Sequence, residues 1–365
     1  MKPTVVSLFS GGGGLDLGFV NAGYKILWAI DNDKNAVSTY KRNIGDHIKC
    51  GDINKVDLQF IPNADVIIGG PPCQSFSLAG MRHVEDARGQ LVWQYMKILK
   101  HVQPKAFVFE NVTGLLSAKN SNGEKIVDLL KKSFRDIGYT VEMEVLNAVN
   151  YGVPQRRKRV FIVGIVGDKK FVFPNPTHGS VNLGLKPYIT VSDALSDLPA
   201  ATDNENELVL YTCGPKTDYQ RLMRKNNGKV VSEHFVSKLS ELDKYIISHV
   251  KPGGNYKDIP KDVNSERIKR LQREGGHTTC YGRLRASEPS YTINTYFNRP
   301  NVGCNIHFSE NRLITVREAL RLQSFPDVFE IVSSNKQGRN LIVGNAVPPL
   351  LATIIAKKLN EYLEE

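Results

Sequence analysis

Residues 5–9 form a short apolar run that breaks directly into Ser10-Gly11-Gly12-Gly13-Gly14, and residues 15–22 follow with helical spacing. Glycines take positive φ without steric penalty and let a backbone approach a ligand closely. A helix that starts on such a turn offers unbonded amides at its first turn. The strand-to-helix alternation then repeats. Residues 25–30, 65–68, 105–109, 141–146 and 160–165 read as strands. Between them, 33–43, 91–102 and 125–137 carry helical periodicity, with Asp33 near one start, Pro104 beyond one end and Gly138 closing another. This order predicts an α/β fold built on a mostly parallel sheet covered on both faces.

After Asp168 the periodicity becomes patchy and loop signals gather, as at Pro252-Gly253-Gly254-Asn255. A smaller, loop-rich second domain is predicted over 181–327, leaving 1–180 and 328–365 to the first. Near its end, 316–323 reads as a helix with Thr315 as N-cap. The last helix, 348–363, has an apolar face and is predicted to pack back on the first domain. A chain of 365 residues exceeds the usual size of a single core, which fits two domains. Net charge is +11. Between Lys216 and Arg285 sixteen lysines and arginines face only eight acids, which is the footprint of a polyanion partner or of a solvated basic surface.

No apolar run approaches the roughly 20 residues that span a bilayer, and no signal peptide is read at the start. The expectation is a soluble, cytoplasmic protein with no membrane partner. The five cysteines include no C-x-x-C pair, which argues against a zinc site or other metal. Their odd number argues against a disulfide framework and leaves at least one free for chemistry.

Two segments carry that chemistry. The glycine turn departs from G-x-G-x-x-G because Asp16 stands where the third glycine would be, so a dinucleotide is not the first expectation. Asp31 lies 20 residues beyond Gly11, at the end of the second strand, where an acid can bind ribose hydroxyls. Gly69-Gly70-Pro71-Pro72-Cys73-Gln74 ends the 65–68 strand, and two prolines before a cysteine are a costly way to place an inert thiol. Glu110-Asn111-Val112 ends the next strand. If those strands are neighbours, Cys73 and Glu110 emerge side by side. Arg157 and Arg159 lead into the 160–165 strand, where alternation points both to one face. A thiol, a carboxyl and two guanidiniums suit attack on an electron-poor heterocycle.

Phe9-Ser10-Gly11-Gly12-Gly13, Pro71-Pro72-Cys73-Gln74, Glu110-Asn111-Val112, Gln155-Arg156-Arg157-Lys158-Arg159, Arg317-Glu318, Leu322-Gln323-Ser324-Phe325-Pro326 and Gly344-Asn345-Ala346-Val347-Pro348-Pro349 resemble, in order, the motifs of DNA cytosine-5 methyltransferases of the bacterial restriction–modification type. Only about 170–310 lacks them, where that family has its variable target-recognition domain. The resemblance implies a Rossmann-like S-adenosylmethionine-dependent domain and base flipping. It implies that Phe9, Ser10, Gly11, Gly13, Gly14, Leu15, Asp31, Asp52, Ile53, Pro72, Asn345 and Val347 hold the cofactor. It makes Cys73 the nucleophile toward cytosine C6, with Glu110 at N3, Arg157 at O2 and Arg159 nearby. Burial would favour protonated Glu110 while Arg157 would oppose it, and the final base is not named.

By the same resemblance, residues 75–91 form a loop that closes over the flipped base and carries Ser77, Arg82 and Arg88, and Gln74 just before it also touches DNA. Arg283 reads a guanine, touches phosphate or simply packs, and Thr292 orders a loop or packs. The implied partners are duplex DNA with a short target and, acting on the same site without direct binding, a cognate restriction endonuclease in a prokaryotic or viral host. A monomer is implied. A tRNA cytosine-5 methyltransferase on the same fold is the alternative, and a non-catalytic DNA-binding regulator a more distant one, since it would have no use for Cys73.

Overall fold

Strand β1 (Thr4–Leu8) occupies the position from which the rest of the sheet is built. On one side it pairs in parallel with β2 (Lys25–Asp31), which pairs in parallel with β3 (Ile48–Cys50). On the other side it pairs in parallel with β4 (Val66–Gly69), and β4 pairs in parallel with β5 (Ala106–Asn111). β6 (Tyr139–Asn147) and β7 (Lys158–Val166) complete seven strands in the order β3-β2-β1-β4-β5-β7-β6, with β7 antiparallel to both neighbours. Chain order reverses at β1, so the crevice beyond the carboxyl ends of β1 and β4 is a topological switch point, the place where open α/β sheets bind ligands.

The central strands are near-continuous apolar runs because both faces are covered. β4 and β5 are buried at every position. Helices α1 (Gly14–Asn21), α2 (Lys34–Asn43), α3 (Gln90–Val102) and α4 (Ile126–Asp136) supply the cover. Asp33 caps α2 by accepting from the Ala36 amide at 2.9 Å, and Gly138 takes φ 98 just past α4. Tyr95, Phe107, Phe109 and Phe134 pack edge to face or tilted, all fully buried. Each such ring contributes about 1.5–3 kcal/mol through burial.

The structure describes residues 1–72, 90–120, 122–225 and 228–363. They divide into two units, one of 1–147, 158–176 and 349–365, the other of 148–157 and 177–348. These geometric units cut the chain at other places than the functional division expected at 180 and 327.

The second unit holds α5 (Val191–Leu195), β8 (Val209–Leu210), α6 (Asp218–Met223), β9 (Val230–Val231), α7 (Glu241–His249), α8 (Glu266–Glu274), α9 (Val316–Leu322) and α10 (Lys336–Asn345). Most are too short to show a period, which is why sequence patterning left this region as loop. Thr315 caps α9 as expected, in a reciprocal box with Glu318. Buried Arg321 is clamped between Asp197 and Asp327 at 2.7 and 2.6 Å. The last helix, α11 (Pro349–Asn360), belongs to the first unit and packs on α1 as expected. A Cβ at Gly18 would lie 2.3 Å from the Ala352 Cβ, so glycine there lets the two helices meet.

Candidate active site

The glycine turn leaves β1 with Phe9 at φ 56, Gly11 at φ 55 and Gly13 at φ 89. A phenylalanine in the left-handed region is strained, and such strain persists where the surroundings over-determine it, often at ligand sites. The turn is tied to the end of β2. The Gly11 amide donates to Asp31 Oδ2 at 2.8 Å, the Asp33 amide to Asp31 Oδ1 at 2.9 Å, and the Ser10 amide to the Ile30 carbonyl at 3.1 Å. Burial raises the Asp31 carboxyl above its ordinary pKa, against the pull of those amides. Gly13 is the N-cap of α1 and supplies no side-chain bond, so the start of that helix is uncapped.

A Cβ built at Gly11 or at Gly51 would meet nothing within 4 Å, so there is open space over both ends of the crevice. Asp52 caps a short turn through the Asn54 amide at 2.9 Å, and Ile53 is buried beneath it. Buried Ser10, Gly14 and Leu15 line the turn, while Pro72 is exposed. Asn345 is exposed and Val347 buried in the second unit. The residues of the first unit, with the uncapped helix start and the Asp31 carboxyl, fit a nucleoside-bearing ligand such as S-adenosylmethionine.

At the next pair of strands the expected adjacency of β4 and β5 is observed, with Gly69 opposite Phe109. Glu110 Oε1 and Arg159 Nε form a largely buried ion pair at 3.0 Å. Burial lowers the Arg159 pKa, and Glu110 pulls it back up. A Cβ on Gly70 would come 2.7 Å from Glu110 Oε2, so glycine there makes room for the carboxylate. The buried Asn111 amide donates to the Pro71 carbonyl at 2.9 Å and so fixes the backbone that runs into Pro72. Sequence reasoning did not assign Asn111 this role. Cys73, Gln74, Ser77, Arg82 and Arg88 lie outside the described residues.

Two expectations need correction. Arg157 was placed with Arg159 on one strand face, but β7 begins at Lys158 and Arg157 precedes it. Its guanidinium is buried and donates to the carbonyls of Ile293 at 2.9 Å and Gly344 at 2.8 Å. Around it, the Ile293 amide donates to Gln155 and the Arg156 amide to the Ser290 carbonyl. Exposed Thr292 donates its hydroxyl to the Arg156 carbonyl at 2.7 Å.

Arg283 is the second correction. It is 4% exposed, and its guanidinium makes five hydrogen bonds, to the carbonyls of Val250, His307, Glu310 and Ile247 and to Asn311 Oδ1. A guanidinium has five N–H donors, so none is left for a base edge. These bonds take Arg283 into packing, one of its three readings.

A Rossmann-like sheet with a glycine turn at its switch point and, beside Gly70, an acid–guanidinium pair fits the methyltransferase class. The C-5 cytosine-specific DNA methylase family matches residues 3–361, and the chain belongs to that family: it is a DNA cytosine-5 methyltransferase. The chain is 38% identical to Type II methyltransferase M.NgoFVII of Neisseria gonorrhoeae over 98% of this chain and 86% of that protein. It is 34% identical to M.AgeI of Thalassovita gelatinovora, covering 97% and 98%. Among solved structures, a candidate DNA modification methyltransferase encoded within an E. coli prophage superposes with TM-score 0.76 at 24% identity over 100% of both chains. The Schizosaccharomyces pombe Dnmt2 methyltransferase superposes at 0.60 and 17% identity, covering 100% and 99%. These two likenesses speak for the fold.

Proposed function

We propose that the chain methylates carbon 5 of a cytosine flipped from duplex DNA, with Cys73 adding to carbon 6 and S-adenosylmethionine held over the glycine turn. The observation that carries this reading is the Glu110–Arg159 pair at the end of β5, next to the Pro71 carbonyl held by Asn111 two residues before Cys73. Carbon 5 of cytosine is a poor nucleophile. Thiolate addition at C6 makes C4–C5 enamine-like, so that C5 can attack an electrophilic methyl. Glu110 shares a proton with N3 as charge builds there, and Arg159 holds that carboxyl in place. Loss of the C5 proton to a base then lets the Cys73 thiolate leave by elimination. A thiol of ordinary pKa near 8.5 is activated by neighbouring positive charge.

Bound S-adenosylmethionine supplies that methyl on a cationic sulfur. Asp31 binds the ribose, Asp52 and Ile53 face the adenine, and Phe9, Ser10, Gly11, Gly13, Gly14, Leu15 and Pro72 line the rest. Arg157 acts as a positioning residue that staples Ile293 to Gly344. Gln74, Ser77, Arg82 and Arg88 contact DNA around the flipped base. The enzyme works as a monomer and protects host DNA from a cognate endonuclease, a role supported by its Type II relatives.

The test is covalent trapping on a duplex carrying 5-fluorocytosine in many sequence contexts, with S-adenosylmethionine present. Fluorine at C5 blocks the elimination, so wild type should form a stable adduct and Cys73→Ala should form none. An adduct that survives Cys73→Ala would overturn the mechanism.

A further inference from the structure

Beneath the glycine turn lies a hydrogen-bonded chain that the reaction scheme does not use. Asp16, in the first turn of α1, is fully buried. Its Oδ1 accepts from the Tyr40 hydroxyl at 2.9 Å, and the Tyr40 oxygen lies 3.0 Å from His47 Nε2. The phenol has one hydrogen and gives it to Asp16, so neutral His47 must donate from Nε2. The Ser7 hydroxyl neighbours the Asp16 carboxyl and bonds at 2.9 Å to the hydroxyl of Ser10, in the turn itself. The Tyr40 ring also supports the turn from below. A Cβ on Gly13 would come 3.0 Å from Tyr40 Cδ2 and 2.2 Å from Ile44 Cδ1.

We propose that Asp16 and Tyr40, with His47 at the outer end, are positioning residues that hold the glycine turn ready for S-adenosylmethionine. The proposal rests on the cofactor assignment above. Ordering a loop costs affinity when binding itself must do it, and this chain orders the turn beforehand from two elements, α1 and α2. It is built around a titratable group. Burial pushes the Asp16 carboxyl up to about 6, with the Ser7 hydroxyl and the Tyr40 bond opposing and Asp31 adding to the rise. Burial beside Asp16 keeps the Tyr40 phenol protonated, and burial lowers His47 against the pull of Asp46. α11, packed on the other side of α1, buries Leu351, Ala352 and Ile355 and carries its lysines, Lys357 and Lys358, near its far end. An ionised Asp16 is the stronger acceptor for Tyr40, so the turn is held most firmly above pH 6.

The experiment is calorimetric titration of S-adenosylmethionine into DNA-free wild type, Tyr40→Phe, Asp16→Asn and His47→Gln from pH 5.5 to 8.5. The unfolding midpoint of each protein is measured alongside. Wild-type affinity should rise through pH 6, and Asp16→Asn should flatten that rise; Asp31 is present in every protein, so the difference isolates Asp16. Tyr40→Phe should weaken binding roughly three- to tenfold and move the inflection to higher pH, since a carboxylate that loses a donor titrates later. His47→Gln keeps a donor to the phenol but loses the ring contact with Tyr40, and should weaken binding less than Tyr40→Phe does.

Unchanged affinity and inflection in Tyr40→Phe would overturn the proposal, as would lower unfolding midpoints with wild-type affinity in the folded variants. Wild type that binds S-adenosylmethionine with this pH profile but traps no 5-fluorocytosine duplex would sink the catalytic reading and leave this one standing.

Discussion

Arg283 shows how far a residue's meaning depends on partners distant in sequence. Beside Tyr281 and Gly282 it looks like a DNA-touching arginine, but its carbonyl partners lie 24 to 36 residues away, and sequence pattern does not report them. Arg283→Ala removes five hydrogen bonds, three of them to the buried carbonyls of Ile247, Val250 and His307, and is expected to cost roughly 3 kcal/mol, at roughly 1 kcal/mol for each buried bond. Urea unfolding would measure it. A base-reading arginine would instead leave stability intact and relax the target sequence. The catalytic motifs were more legible. Glu110 and Asp31 each sit at the carboxyl end of a strand, where two adjacent segments fix their place. The hydrogen bonds of Asn111 and Tyr40 follow only from the folded sheet.

A second residue-scale prediction concerns acid. Burial raises the Glu318 carboxyl, but its bonds to Arg312 more than offset that and hold it at about 2. The folded value lies below the ordinary value of 4.5, so this stabilisation is complete above pH 4.5 and is lost as pH falls toward 2. The difference is worth roughly 3 kcal/mol. Glu318→Gln should flatten the stability curve over that window and destabilise the protein by roughly 3 kcal/mol at pH 7, because buried Arg312 then keeps only the half-exposed Glu310 as a charge partner. A wild-type acid limb in the variant would refute this.

Among elements, those with a clear period were readable from sequence and the short ones were not. β1, β2, β4, β5, β6 and β7 were each expected within a few residues. β3 was missed because three residues, Ile48–Cys50, show no alternation. α8 was missed because it buries only Ile268 among nine mostly charged residues. Where a local signal exists it is specific. Thr315 caps α9 and also bonds His234 Nδ1 at 2.9 Å. Thr315→Ala is expected to lower stability by roughly 1–2 kcal/mol, read as a drop in the denaturation midpoint with unchanged slope. A variant as stable as wild type would mean that the cap is redundant with the box at Glu318.

For the whole molecule, the charge distribution sets how DNA binding responds to salt. If about six phosphates are contacted, affinity should fall about a thousandfold between 50 and 200 mM salt, measurable by fluorescence anisotropy on a labelled duplex. A flat response would refute the reading of the 216–285 segment as an electrostatic footprint.

The packing of α11 on α1 reaches further, into synthesis. The glycine turn stands at the start of α1, but the helix that covers α1 is translated long after it. Until residues 349–360 emerge, Gly18 and its neighbours face solvent, and the unit that carries the turn has no finished core. A chain that lacks residues 349–360 is therefore expected to leave the glycine turn without its supporting helix pair, and to lose activity.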